Sequence, residues 1–245
     1  MEKNAQKGAP LTEAPLITTK QQKNLLHINH IVILGDSVAY GYGTKGGISK
    51  YLKETFHKSK VTNLGINGLT SNGMVERLRS GIWDKVLETA DLVLINIGGN
   101  DLLHGFRGQG AKGLVRQFSI IKRTFRQNLL ETYRHLRELN TNMIIVQNNL
   151  YNSMKKEVQY FGFTELLLRL WNSAIGEKGV IVSKTDLMGK NPEIWLDSIH
   201  PNDEGYKLMH ELLMKTLSST GFVFHPGEES IQSNKTVSLG ISDHS

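Results

Sequence analysis

The chain has 245 residues, 29 Lys and Arg against 23 Asp and Glu, and a net charge of +6. Hydrophobic residues make up 39 % and charged residues 21 %, an ordinary balance for a globular chain long enough to bury a full core. The absence of cysteine excludes a disulfide framework, a cysteine nucleophile, thiolate-bound zinc and iron–sulfur clusters, and the small positive excess falls short of what nucleic-acid binding demands.

Residues 1–27 are polar and lack periodicity, so they read as a tail ahead of one domain over 28–222. Glu2, Lys3, Lys7 and Glu13 interrupt any apolar run of signal-peptide length. No stretch approaches the roughly 18 apolar residues of a membrane span. The chain as it stands reads as cytoplasmic, and a chain relieved of a leader (extracellular or at the cell surface) would look the same.

The first apolar run, Ile31 to Leu34, predicts a strand that ends in Gly35-Asp36-Ser37. A helical pattern over 46–58 follows. A second strand is predicted over 61–66, running into Asn67-Gly68, and a helix over 70–88. Leu92 to Ile97 gives the third strand, which stops at Gly98-Gly99-Asn100-Asp101. His104 and the glycine-rich stretch 105–110 read as a loop, either plain surface or a cover over a cleft. Leu114, Phe118, Ile121, Phe125 and Leu129 then recur at steps of four, three, four and four, which is helix spacing. Met143 to Val146 and Val180 to Val182 supply the fourth and fifth strands, with helices over 163–178 and 203–218. Residues 223–245 read as a second tail, and no internal repeat is present. Short strands rich in Val and Ile, alternating with helices, imply a parallel sheet in a three-layer α/β/α sandwich. In such sheets ligands sit beyond the carboxyl ends of the strands.

The strand ends carry the chemistry. A serine hydroxyl becomes a nucleophile only when a base takes its proton. An imidazole serves as that base when a carboxylate fixes its tautomer. Asp197-Ser198-Ile199-His200-Pro201 offers both groups three residues apart, where Pro201 biases His200 away from helical geometry and Asn202 or Asp203 can cap the next helix. Ser37 stands on the first turn. The Asn100 side chain and the backbone N–H groups of Gly68 and Ser37 are candidate donors to an oxyanion. Asp36 reads as a residue of the turn, so Asp197 is the better partner for the imidazole.

These segments resemble the sequence blocks of the SGNH (GDSL) hydrolase family. Gly35-Asp36-Ser37 matches the first block, although Val38 stands where leucine is usual; Gly68, Asn100 and Asp197–His200 match the others, in the family's order over residues 31–201. The resemblance implies a flavodoxin-like sandwich with a five-stranded parallel sheet, and hydrolysis of esters or thioesters by a serine hydrolase. It implies Ser37 as nucleophile, His200 as base, Asp197 as its orienter, and Ser37, Gly68 and Asn100 as the oxyanion hole. It also implies a small-molecule, lipid or carbohydrate ester as substrate, with no cofactor.

Rival readings follow from other residues. Gly41-Tyr42-Gly43-Thr44-Lys45-Gly46 fits G-x-G-x-x-G, but no acid stands at the end of the second strand, so a dinucleotide site is rejected. Neither a Walker A sequence nor a G-x-S-x-G elbow occurs. The remaining histidines lack metal-ligand spacing, so no metal is expected. Trp195 reads either as a wall of the acyl pocket or as a core aromatic. Residues 112–137 hold Lys112, Arg116, Lys122, Arg123, Arg126, Arg134 and Arg137 against Glu131 alone. This helix reads as a solvated face, or as the docking surface of a binding module that takes anionic lipid or polymer.

Overall fold

The computed structural model describes residues 27–221, and the tails read at either end lie outside that span except for His27. Five strands form one sheet: β1 (His30–Gly35), β2 (Lys60–Gly65), β3 (Leu92–Asn96), β4 (Ile144–Asn148) and β5 (Val180–Ser183). Their order is β2-β1-β3-β4-β5, and every pairing is parallel. The chain runs outward from β1 to β2, then returns past β1 to β3. The crevice where those directions diverge is where open α/β sheets hold ligands.

Alternation along the strands divides the core in two. Val32, Leu34, Val93, Ile95 and Ile145 join one cluster, with helices α3 (Ser71–Arg79), α4 (Asp84–Leu87), α5 (Gly99–Leu139) and α6 (Phe161–Asn172). Ile31, Ile33, Leu92, Leu94 and Val146 join the other, with α1 (Ser37–Tyr40), α2 (Ile48–Thr55) and α7 (Asp203–Ser219). Residues one apart therefore serve opposite faces, as the period of a strand requires. Apolar burial on both faces explains why β1 and β3 read as unbroken hydrophobic runs.

Two sequence expectations need correction. The pattern over 70–88 is two helices, α3 and α4, broken after Arg79. The stretch 105–110 is helical and belongs to α5, whose backbone leaves helical geometry only at Gly110 (φ 66°, ψ −169°). Gly105 permits close packing: a Cβ there would stand 2.6 Å from Ile121 Cδ1 and 3.1 Å from Leu114 Cδ1. The arm before the kink thus lies against the arm after it, and a tertiary contact outweighs the poor helix propensity of glycine.

The basic segment is also less free than its charge suggests. Arg126 donates to the carbonyls of Ala174 and Gly176 and pairs with Glu177. Arg137 holds the carbonyls of Met143 and Gly179, and Lys122 donates to Ser173 Oγ at 2.7 Å. Three cations therefore clamp α5 to the α6–β5 connection. Among the described residues no helix is long and apolar enough to cross a membrane.

Candidate active site

Ser37 is the first residue of α1, directly after β1. Asp36 caps that helix: its Oδ1 accepts from Val38 N–H at 3.0 Å and from Asn96 Nδ2 at 3.2 Å. Burial pushes the Asp36 carboxyl up to about 6, partly offset by those two donors. As the opening residue of a helix, Ser37 has an N–H without an intrahelical partner.

The turn before α7 brings the imidazole to that serine. Leu196 N–H donates to His200 O at 2.8 Å and Asn202 N–H to Ile194 O at 2.9 Å, which closes a short antiparallel bridge between Trp195 and Pro201. Asn202 caps α7 by accepting from Gly205 N–H at 3.0 Å, and its amide also ties to Glu193 O at 2.8 Å. Inside this turn Asp197 Oδ1 accepts the N–H groups of Ile199 and His200, both at 2.8 Å. Asp197 Oδ2 lies 2.7 Å from His200 Nδ1, and His200 Nε2 lies 2.9 Å from Ser37 Oγ. Burial pushes the Asp197 carboxyl up, but the His200 ring and the two backbone N–H groups outweigh it and hold the group below its ordinary value. An ionised Asp197 can only accept, so Nδ1 donates to it, and in a neutral ring that leaves the lone pair on Nε2, the nitrogen facing the hydroxyl. The structure thus brings Asp197, His200 and Ser37 into one hydrogen-bonded line. His200 is buried, whereas the Asp197 side chain keeps 42 % of its exposure.

The other two predicted residues flank the same edge. Gly68 has φ +76° with nothing within 4 Å of a built Cβ, so its backbone conformation, and not lack of space, is what a side chain would strain. The Asn100 side chain donates to Leu69 O at 2.9 Å, which ties the start of α5 to the Gly68–Leu69 turn. A primary amide has two N–H groups, so a second remains. Asp101 reinforces the tie by accepting from Ser71 N–H at 3.0 Å and from the Ser71 hydroxyl. Burial pushes the Asp101 carboxyl up, and Ser71 offsets part of that.

Sequence reasoning missed several supports. The Tyr42 ring lies 4.5 Å from the His200 ring, centre to centre, at a 34° tilt. It belongs to the glycine string rejected as a dinucleotide site, where Thr44 accepts from Gly47 N–H at 3.0 Å and donates to Gly41 O at 2.9 Å. Tyr151 donates to Ile199 O at 2.9 Å, and Ser153 donates to Ser198 O, so the segment after β4 braces the Asp197–His200 turn. No local pattern marks either residue, because the contacts span more than forty positions. Trp195 packs on Tyr151 with ring centres 4.8 Å apart and is half-buried against the α7 side of the core. Among the described residues no group of three or more His, Asp or Glu could hold a metal ion.

Residues 33–208 match the GDSL-like lipase/acylhydrolase family. The chain belongs to that family. It is 26 % identical over 214 residues to the uncharacterized protein YpmR of Bacillus subtilis (strain 168), covering 78 % of this chain and 83 % of that one. The same fold occurs in the crystal structure of the lipase Lip_vut3 from a goat rumen metagenome, with TM-score 0.66, 20 % identity, and coverage of 77 % of this chain and 97 % of that one. It occurs again in Axe2, an acetylxylan esterase from Geobacillus stearothermophilus, with TM-score 0.56, 17 % identity, and coverage of 80 % and 96 %. The five-stranded parallel sheet with helices on both faces is therefore the SGNH hydrolase fold, in agreement with the sequence expectation.

Proposed function

We propose that this GDSL-family hydrolase is a serine esterase that cleaves carboxylic esters or thioesters through an acyl-enzyme. The observation that carries this reading is the line from Asp197 through His200 to Ser37 Oγ, with contacts of 2.7 and 2.9 Å.

His200 Nε2 takes the Ser37 proton as Oγ attacks the ester carbonyl carbon, and the carbonyl π pair moves onto its oxygen. The N–H groups of Ser37 and Gly68 and the free amide hydrogen of Asn100 stabilise that oxyanion. Asp197 stabilises the imidazolium. When the tetrahedral adduct collapses, the bond to the alcohol breaks and the departing oxygen takes the proton from Nε2. Water then loses a proton to the same nitrogen, attacks the acyl carbon and releases the acid, and Ser37 recovers its proton. Lip_vut3 and Axe2 are described as a lipase and an acetylxylan esterase, both ester-cleaving enzymes, which supports the reaction class.

Hydrolysis of p-nitrophenyl esters from acetate to palmitate by the wild type and Ser37→Ala tests the proposal. We expect Ser37→Ala to lose on the order of 10⁴-fold or more in kcat with an unchanged melting temperature. An unchanged rate would remove Ser37 from the chemistry.

A further inference from the structure

The kinked helix α5 shows an unusual outward face. Beyond Gly110, the residues turned away from Leu114, Phe118, Ile121 and Phe125 are Lys112, Arg116, Ile120 and Arg123, at steps of four, four and three. All four are exposed, Ile120 at 65 %. No acid occurs between Asp101 and Glu131, and among the described residues these three cations have no hydrogen-bond or ionic partner. The face is a cationic stripe with an aliphatic side chain set within it.

Helix α6 next to it is uncharged over most of its length. Trp171 points into the core against Phe118 and Phe125. Asn172 bonds to Leu150, and Glu165 to Asn152, so one flank of α6 faces the segment after β4. At 3.6 residues per turn, Phe163, Leu166 and Leu170 lie on the opposite flank. They remain 44 %, 45 % and 46 % exposed. Ser173, seven residues after Leu166 and three after Leu170, shares that side and accepts from Lys122 of α5. Both elements start at the site: α5 carries Asn100 in its first turn, and the segment leading into α6 is bonded to Ser198 and Ile199 of the catalytic turn.

We propose that the outward face of α5 and the exposed flank of α6 dock the protein on an anionic lipid surface, with the site edge brought near it. Charge selects the occupant. A second copy would set one cationic stripe against another, which is unfavourable. Anionic headgroups complement Lys112, Arg116 and Arg123, whose aliphatic stems lie along an apolar surface while their charged ends meet the headgroups. Phe163, Leu166, Leu170 and Ile120 then enter the boundary between headgroups and acyl chains. The docking stands on its own; the corollary that the ester is a lipid rests on the esterase reading.

The test is cosedimentation of the full-length Ser37→Ala protein with phosphatidylcholine vesicles containing or lacking phosphatidylglycerol. Binding is expected only with phosphatidylglycerol, and it should weaken as salt rises. Lys112→Gln, Arg116→Gln and Arg123→Gln combined should weaken it roughly a hundredfold, about fivefold per cation. Leu166→Ser with Leu170→Ser should weaken it roughly tenfold or more. All five positions are exposed, and melting curves control for folding. No phosphatidylglycerol-dependent sedimentation overturns the proposal, as does binding that neither set of substitutions alters. A stable dimer that the leucine substitutions dissociate overturns it in favour of a second copy. Turnover of p-nitrophenyl acetate by the Ser37 protein, measured without vesicles, reads the esterase proposal separately.

Discussion

Two carboxylates stand near Ser37, and their surroundings drive them in opposite directions. Asp36, in the turn after β1, is buried; burial lifts it to about 6, and its Oδ1 is spent on Val38 and Asn96. Asp197, in the turn before α7, keeps much of its exposure and accepts the His200 ring and two backbone N–H groups, which hold it low. The first can shape a helix start but contributes a poorly stabilised charge. In the proposed mechanism the second offers a stable charge to a developing imidazolium. The proposed function therefore makes the neighbour in sequence the structural residue, and the residue 160 positions away the electrostatic one.

The sharpest test of this contrast is the pair of amide substitutions. Asp197→Asn should lower kcat about 10⁴-fold, because the amide no longer selects the imidazole tautomer with its lone pair on Nε2. Asp36→Asn keeps an oxygen that accepts from Val38 N–H, so kcat should fall less than about tenfold. Steady-state kinetics on one ester decide it, and equal losses would abolish the distinction. Next in size is Asn100→Ala, expected to cost roughly 10²–10³ in kcat with little change in KM if the amide meets the oxyanion. A loss confined to KM would make Asn100 a substrate-binding group.

How much of this was legible beforehand depended on how local each cause was. Strands β1 and β3 stood out because burial on both faces demands consecutive apolar residues. The Asp197–His200 turn was visible because its ligating groups lie within three residues. The helical state of 105–110 was hidden because it depends on Gly105 fitting under Ile121 and Leu114 after the chain has turned at Gly110. Tyr42 sat in a glycine string whose register suggested a nucleotide, and only the fold lays its ring on His200. Asp101 belongs to the Gly98–Asp101 motif, yet its contact with Ser71 crosses thirty positions that no periodicity links.

The same contrast predicts a pH-dependent difference in stability. The ordinary value of an aspartate is 3.8, and Asp36 stands at about 6 in the folded protein. The folded state binds this proton more tightly than the unfolded chain does, so protonation favours folding. Below the ordinary value both states hold the proton and there is no penalty. As pH rises through the window between the two values, the unfolded chain ionises first and the fold loses stability, up to about 3 kcal/mol once the buried group is also charged. Asp36→Asn has no such titration. Its stability relative to wild type should therefore rise between pH 4 and pH 7 and stay level above. Urea unfolding of both proteins across that range measures the difference directly, cancelling every group they share. A difference that stays constant with pH would mean that Asp36 is not the strained charge its burial makes it, and the contrast with Asp197 would lose its electrostatic basis.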